Sequence, residues 1–302
     1  MSKRESITRY SLIIKKLRKK PSTFDEIADY LDRQSELEEY NFNISKRTFQ
    51  RDLIDIREVY KIDIQYDRSQ QHYFISDDEH PEINERILEA FDTFNALNMS
   101  DRLSNSIYFE KRKPQGTENL NGILHAIRNG KKLSFSYISF LEEELTERVV
   151  EPYALKEFGH RWYIVGNDTK DNKIKTFGLD RLSDMEISKQ KFELPPEFNV
   201  NEYYRHCFGI ISPNSPNPFK IELWFNSVQG KYIKSLPLHE SQKVLSDTEK
   251  GLTIELELYL THDFVMEILS YGGNVKVIKP KQLINLVKTA YKEGLAMYDD
   301  KF

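Results

Sequence analysis

The chain has 302 residues, of which 39% are hydrophobic and 30% charged, with a net charge of −4. That length exceeds one typical core and predicts two or three domains, and the composition is that of a soluble globular protein with no apolar run long enough to cross a bilayer. A single cysteine, Cys207, excludes an internal disulfide framework and a cysteine-based zinc cluster, and reads as a buried small hydrophobe in a reducing cytoplasm.

The charge is unevenly spread. Residues 1–20 hold eight Lys/Arg against one Glu, a local +7, and residues 21–44 hold seven acids against Arg33, a local −6. Residues 45–76 carry six basic and five acidic side chains. Such polarity lets a nearly neutral segment turn one basic face to phosphate and its acidic face away. The opening is basic, but Leu12–Ile14 is far too short for a signal-peptide core.

Ile7, Tyr10, Ile14 and Leu17 recur at helical spacing before Pro21 breaks the chain. A second helix is predicted from a Ser22/Thr23 cap, with Phe24, Ile27, Ala28 and Leu31 as its stripe, followed by a polar, acidic stretch over Asp32–Asn43. A third helix is predicted from Ser45 to about Tyr60, with Phe49, Leu53, Ile56 and Tyr60 inward. At about 100° per residue, Arg47 and Arg51 then fall nearly opposite, with Lys46 and Gln50 on one flank. IDIQYDRSQQHYFI alternates, turns near Asp67–Gln71 and alternates again, a hairpin with Arg68 at its tip.

The run Ser45-Lys-Arg-Thr-Phe-Gln-Arg-Asp-Leu53 resembles the recognition helix of winged helix-turn-helix repressors. The resemblance implies a DNA-binding domain over 1–78. Lys46, Arg47, Thr48, Gln50 and Arg51 would be presented to bases, Arg68 would sit on the wing, and Lys15, Lys16, Lys19 and Lys20 would clamp phosphate.

Next come a predicted helical connector (79–118) and a polar break at Lys111–Gly116. In the connector Ile83, Ile87, Ala90, Phe91, Phe94 and Leu97 share helical spacing. A short helix (Leu120–Asn129) and four strand-like runs follow: Leu133–Ser139, Glu147–Lys156, Trp162–Asp168 and Lys175–Asp180. Short alternating strands with tight turns suggest a small barrel. Residues 199–217 read as a loop, with Pro213, Pro216 and then Pro218. The remainder reads β-α-β-β-α-β plus a final helix, a ferredoxin-like order. The last helix carries Leu283, Leu286, Val287, Ala290 and Leu295, a stripe that suits either closure of this domain or a second subunit.

The segment HRWYIVGNDTKDNKIKTFGLDR, His160–Arg181, resembles the signature of WYL-domain regulators, with Ile164 in place of the Leu. Glu147-Arg-Val-Val-Glu-Pro-Tyr153, completed by Leu155, resembles that family's second strand. Met266–Pro280 resembles the extension that often follows it. The resemblance implies an α+β multidomain protein with a winged helix-turn-helix head, an Sm/SH3-like barrel WYL domain (119–198) and a ferredoxin-like C-terminal domain (199–302), a candidate for dimerisation. It implies a transcriptional repressor, homodimeric and cytoplasmic, on an inverted-repeat operator in double-stranded DNA, with stress or anti-phage defence operons among the family's targets. It also implies an effector pocket from Tyr137, Ser139, Tyr153, Lys175 and Arg181, with Trp162 and Tyr163 as further ligand contacts. Tyr153 stands where His is common and Lys175 where Arg is common, and Lys lacks bidentate phosphate geometry. Two cations beside hydroxyls and aromatic rings suit a nucleotide or short nucleic-acid strand. The other reading is that Trp162 and Tyr163 are barrel core and rim, with Arg181 paired to Asp180 or Asp184.

A single-stranded nucleic-acid or RNA binding module is the alternative. An enzyme is the reading from another class. It is disfavoured: the chain has no Gly-rich phosphate loop, no His-Glu-x-x-His, and seven scattered histidines (His72, His80, His125, His160, His206, His239, His262) without metal spacing. No cofactor is expected.

Overall fold

A computed structural model describes residues 3–38, 40–78, 81–99, 115–140, 144–212 and 217–299. His80, residues 111–114, Pro213 and Pro216 lie outside these residues, as do the side chains of Phe91, Phe94 and Leu97. The chain divides into two compact units, residues 1–110 and 111–302. No helix among the described residues is long and apolar enough to cross a membrane.

In the first unit, α1 (Lys3–Lys19), α2 (Phe24–Glu38) and α3 (Lys46–Tyr60) precede a hairpin of β1 (Ile62–Asp67) and β2 (His72–Asp78). Thr23 and Glu26 cap α2 reciprocally: the Thr23 amide donates to Glu26 Oε2 at 2.9 Å and the Glu26 amide to Thr23 Oγ1 at 3.2 Å. Ser22 is used otherwise, its backbone exchanging hydrogen bonds with Tyr73 of β2 at 3.0 and 2.8 Å. The acidic stretch after Leu31 is a linker only in part. α2 continues to Glu38, and Phe42 then turns fully inward, its amide donating to Ser35 Oγ at 2.8 Å.

Helix α1 is buried more widely than one stripe, because it touches α2, α3 and β2, and every residue from Thr8 to Ile14 is inside. α4 (Pro81–Met99) differs from expectation in the face it buries. Asn84 and Leu88 are inward, while Ile83 and Ile87 are exposed. Asp78 sets that face: its Oδ1 accepts from Asn84 Nδ2 at 2.6 Å and its Oδ2 from Arg18 at 2.8 Å.

In the second unit, α5 (Leu120–Arg128) packs on a five-stranded antiparallel sheet. Its strands are β3 (Lys131–Ile138), β4 (Leu145–Phe158), β5 (Arg161–Asp168), β6 (Lys173–Gly178) and β7 (Leu182–Lys191), in the order β6-β5-β4-β3-β7. A 3-10 turn, Leu179–Arg181, joins the two edges. Sequence periodicity missed β7, whose mostly exposed side chains carry no apolar alternation. The expected closed barrel is corrected to an open sheet: no ladder joins β6 to β7 among the described residues. Leu133, Phe135 and Tyr137 face the core with Ile123 and Phe177, as their alternation predicts.

Gly116, with φ 79°, approaches the turn so closely that a β-carbon there would lie 2.3 Å from the Leu179 carbonyl oxygen. The segment read as a loop contains α6 (Val200–Tyr204), capped by Asn199. Beyond it lie β8 (Phe219–Asn226), α7 (Ser227–Ser235), β9 (Lys243–Thr248), β10 (Gly251–Leu258), α8 (His262–Ser270), β11 (Val275–Lys279) and α9 (Lys281–Asp299). The β-α-β-β-α-β order is thus as read, in an antiparallel sheet ordered β11-β8-β10-β9. The last stripe splits: Leu283 and Val287 face inward, while Leu286 and Leu295 are exposed.

Candidate functional site

Helix α3 forms where Ser45 caps it. Ser45 Oγ accepts from the Thr48 amide at 3.2 Å and lies 3.1 Å from Thr48 Oγ1, so Thr48 serves the cap. Phe49, Asp52, Ile56 and Tyr60 face inward. Lys46, Arg47, Gln50 and Arg51 are all exposed. Lys46 Nζ lies 5.6 Å from the Phe24 ring centre, and Gln50 Nε2 donates to the Tyr73 hydroxyl at 3.1 Å. Arg68 stands exposed in the hairpin turn, which Asp67 Oδ1 organises by accepting from the Ser69 amide at 2.7 Å.

The motif's Arg-Asp pair divides between two tasks. Arg51 points out, whereas Asp52 is buried in a two-pronged ion pair with Arg9, at 2.7 and 2.8 Å. Burial pushes the Asp52 carboxyl up, against the pull of the Arg9 guanidinium. The basic run of α1 therefore does not face solvent as a whole, since Arg9 pins α1 to α3. Further along α1, Lys15 and Lys16 are half-buried, Lys16 Nζ 5.9 Å from the Tyr30 ring centre. Lys20 pairs with Glu26 at 3.1 Å, and Lys19 is exposed.

In the second unit, the residues expected to form one pocket fall into three groups. Around the 3-10 turn, the Arg181 guanidinium contacts two rings, 5.1 Å from the centre of Tyr137 and 4.9 Å from that of Phe140. Tyr137 Oη accepts from the Gly178 amide at 3.3 Å. Burial raises the Tyr137 hydroxyl pKa, opposed by Arg181 and by that amide. Tyr163, paired with Gly178 across the β5–β6 ladder, belongs to the same neighbourhood; burial raises it too, opposed by Arg161 and Arg181. Asp180 Oδ2 accepts from Arg161 at 2.9 Å. Asp180 Oδ1 and Arg181 Nε stand 3.9 Å apart, both buried and without a hydrogen-bond partner. Such orphaned groups are costly and call for a reason.

Lys175 is elsewhere. It lies three residues up β6 from Gly178, about 10 Å at strand rise, and its ammonium is held by Asp168 at 2.7 Å and Asp171 at 2.9 Å. Arg148 reaches the same Asp168 oxygen at 3.0 Å. Burial alone would raise Asp168, but the bonds from Lys175 and the Lys170 amide hold it below the usual carboxylate range. Tyr153 is the extra residue of a bulge between Pro152 and Ala154 and packs on Phe198 and Phe192, at 4.9 and 5.8 Å. Trp162 is half-buried against the sheet's core, the packing role left open by its sequence, and Ser139 sits half-buried just past β3. Phe140, Arg161 and Tyr73 escaped sequence reasoning, since each acts through a neighbour remote in the chain or beyond the end of a strand; Asp180, a partner that sequence already suggests for Arg181, stands 3.9 Å from it.

Family models decide the identity of the second unit. The model of the WYL domain matches residues 118–187, and that of the WCX domain matches residues 217–295. The second unit carries a WYL domain followed by a WCX domain. Its WYL domain is thus the five-stranded sheet with α5, and its WCX domain the four-stranded sheet with α7–α9. Among curated relatives, Protein PafB of Mycobacterium tuberculosis and of Mycobacterium bovis is 26% identical over 174 residues, 56% of this chain and 51% of the relative. The chain therefore spans about half the length of the curated relatives it matches. Among solved structures, Proteasome accessory factor B/C of Arthrobacter aurescens aligns over 94% of this chain and 46% of that one, at 17% identity and a TM-score of 0.34.

Proposed function

We propose that this WYL-domain protein is a DNA-binding transcriptional regulator, a cytoplasmic homodimeric repressor that reads an inverted-repeat operator through its winged head. The observation that carries the reading is the exposed face of α3. A capped helix puts Arg47, Gln50 and Arg51 outward beside a hairpin wing, with its opposite face buried against α1 and α2, as a major-groove reader requires. Two such helices on one face of a duplex set half-site centres about one turn, or a small multiple, apart. Binding of the full chain to a selected duplex, compared with the Arg47→Ala/Arg51→Ala variant, tests the reading; equal affinity of the two proteins overturns it.

The end of α1 supplies the phosphate contacts. Lys19 and Lys20 are the exposed members, so Lys19→Ala/Lys20→Ala is expected to lower the slope of log affinity against log salt by about 0.9 for each phosphate that is no longer neutralised. An unchanged slope in a salt titration assigns these lysines to bulk solvent.

The WYL domain would sense a nucleotide or short nucleic-acid strand at the Tyr137–Phe140–Arg181 cluster. A cation close to two aromatic rings offers charge beside surfaces for stacking. A ligand changes operator affinity only through its unequal binding to two states of the protein. Arg181→Ala is therefore expected to keep its operator affinity without ligand and to lose the response to added oligonucleotide. A normal response in a folded variant, or a melted WYL domain, overturns this assignment. Lys175 and Tyr153 are left to the support of this site, with partners of their own. The target operon follows from the bound sequence; stress and anti-phage defence loci remain the proposed context.

A further inference from the structure

Gln50 leaves α3 at a different angle from Arg47 and Arg51. At about 100° per residue the two arginines lie opposite the buried stripe, while Gln50 shares a flank with Lys46. On that flank the Gln50 Nε2 donates to the Tyr73 hydroxyl at 3.1 Å. Tyr73 itself is held from several sides. Its backbone exchanges two hydrogen bonds with Ser22, at 3.0 and 2.8 Å, and its ring packs edge-on to Phe49 at 4.9 Å and against Tyr66 at 4.8 Å. The hydroxyl is thus a fixed point beside the exposed face of the helix.

A carboxamide has two N–H donors and a carbonyl acceptor. With one N–H committed to Tyr73, Gln50 keeps one acceptor and one donor in a single plane. Adenine offers the matching pair in the major groove, an N6 donor beside an N7 acceptor, whereas guanine offers two acceptors. We infer that Gln50 is the adenine-reading residue of the head and that Tyr73 is its positioning residue. The inference rests on the DNA-reading role proposed for α3 and goes beyond it by assigning a base and the group that orients its reader. An untethered glutamine must give up rotamer freedom to present this edge; a tethered one has given it up on folding.

The test is selection from a random duplex library by the purified full chain, as wild type, Gln50→Ala, Tyr73→Phe and Arg51→Ala. The wild-type motif is expected to contain an A·T column whose preference falls roughly tenfold in Gln50→Ala. The same column should flatten in Tyr73→Phe, which keeps the ring contacts and the melting behaviour, while the other columns and the affinity for random duplex stay as they are. Arg51→Ala should flatten a different column. A guanine column abolished in Gln50→Ala, a Tyr73→Phe motif identical to wild type, or uniform weakening of every sequence by Tyr73→Phe overturns the assignment. Failure of the wild type to enrich any duplex instead removes the DNA-reading role itself, and this inference with it.

Discussion

Asp52→Ala is expected to cost about 3–5 kcal/mol of stability in the first unit, because it breaks the buried, two-pronged ion pair that joins α1 to α3. Both side chains are 3% exposed, so water cannot replace the missing carboxylate. The cost lies largely in keeping the Arg9 charge buried without this carboxylate. Removing both charges with apolar residues of similar volume, as in Arg9→Met/Asp52→Leu, should therefore recover most of the loss. Both tryptophans, Trp162 and Trp224, lie in the second unit, so tryptophan fluorescence is blind to this change. Hydrogen exchange across α1 and α3 is the suitable measurement. Unaltered protection of those helices in Asp52→Ala, or a double variant no better than the single one, would show that the pair does not hold α1 to α3.

Arg47→Ala/Arg51→Ala is the other large expected effect. A bidentate contact from Arg to a guanine edge discriminates by about 1–3 kcal/mol, so two of them amount to about 2–6 kcal/mol on the preferred duplex. Random duplex should lose much less, since phosphate contacts carry that binding. Both side chains are exposed on α3, hence melting should stay close to wild type. Anisotropy titrations at one salt concentration with the two duplexes give the comparison. Equal losses on both would make these arginines phosphate contacts, with base readout residing elsewhere on the helix.

Much of this was legible because it is local. Ser45 and Thr48, or Phe49 and Ile56, are fixed by helical spacing, and the period alone separates Arg51 from Phe49. Asp52 defeats the same reasoning: it lies at the edge of the apolar face, and its partner Arg9 is remote in sequence. Alternation correctly grouped Leu133, Phe135 and Tyr137. Alternation could not have placed Tyr153, because the bulge between Pro152 and Ala154 resets which residues share a face. Lys175 shows a second kind of limit. Its strand position says where the ammonium starts, but the carboxylates of Asp168 and Asp171 settle where it ends. In α4 the apolar period named Ile83 and Ile87, whereas one polar anchor at Asp78 rotated the helix to bury Asn84 and Leu88. Polar anchoring between distant segments is what a single sequence conceals.

The close approach of Gly116 to the Leu179 carbonyl has a mechanical meaning. Gly116 is where the described chain enters the WYL domain, and Leu179 begins the turn that carries Arg181. With no space even for a methyl group, the two backbones act as a stop: a shift of the turn toward Gly116 cannot be absorbed by a side chain changing rotamer. It has to be taken up as rotation of the main chain at Gly116, whose left-handed conformation leaves a glycine free to yield. The turn that carries Arg181 is thus braced directly against main chain, with no side chain between to cushion it.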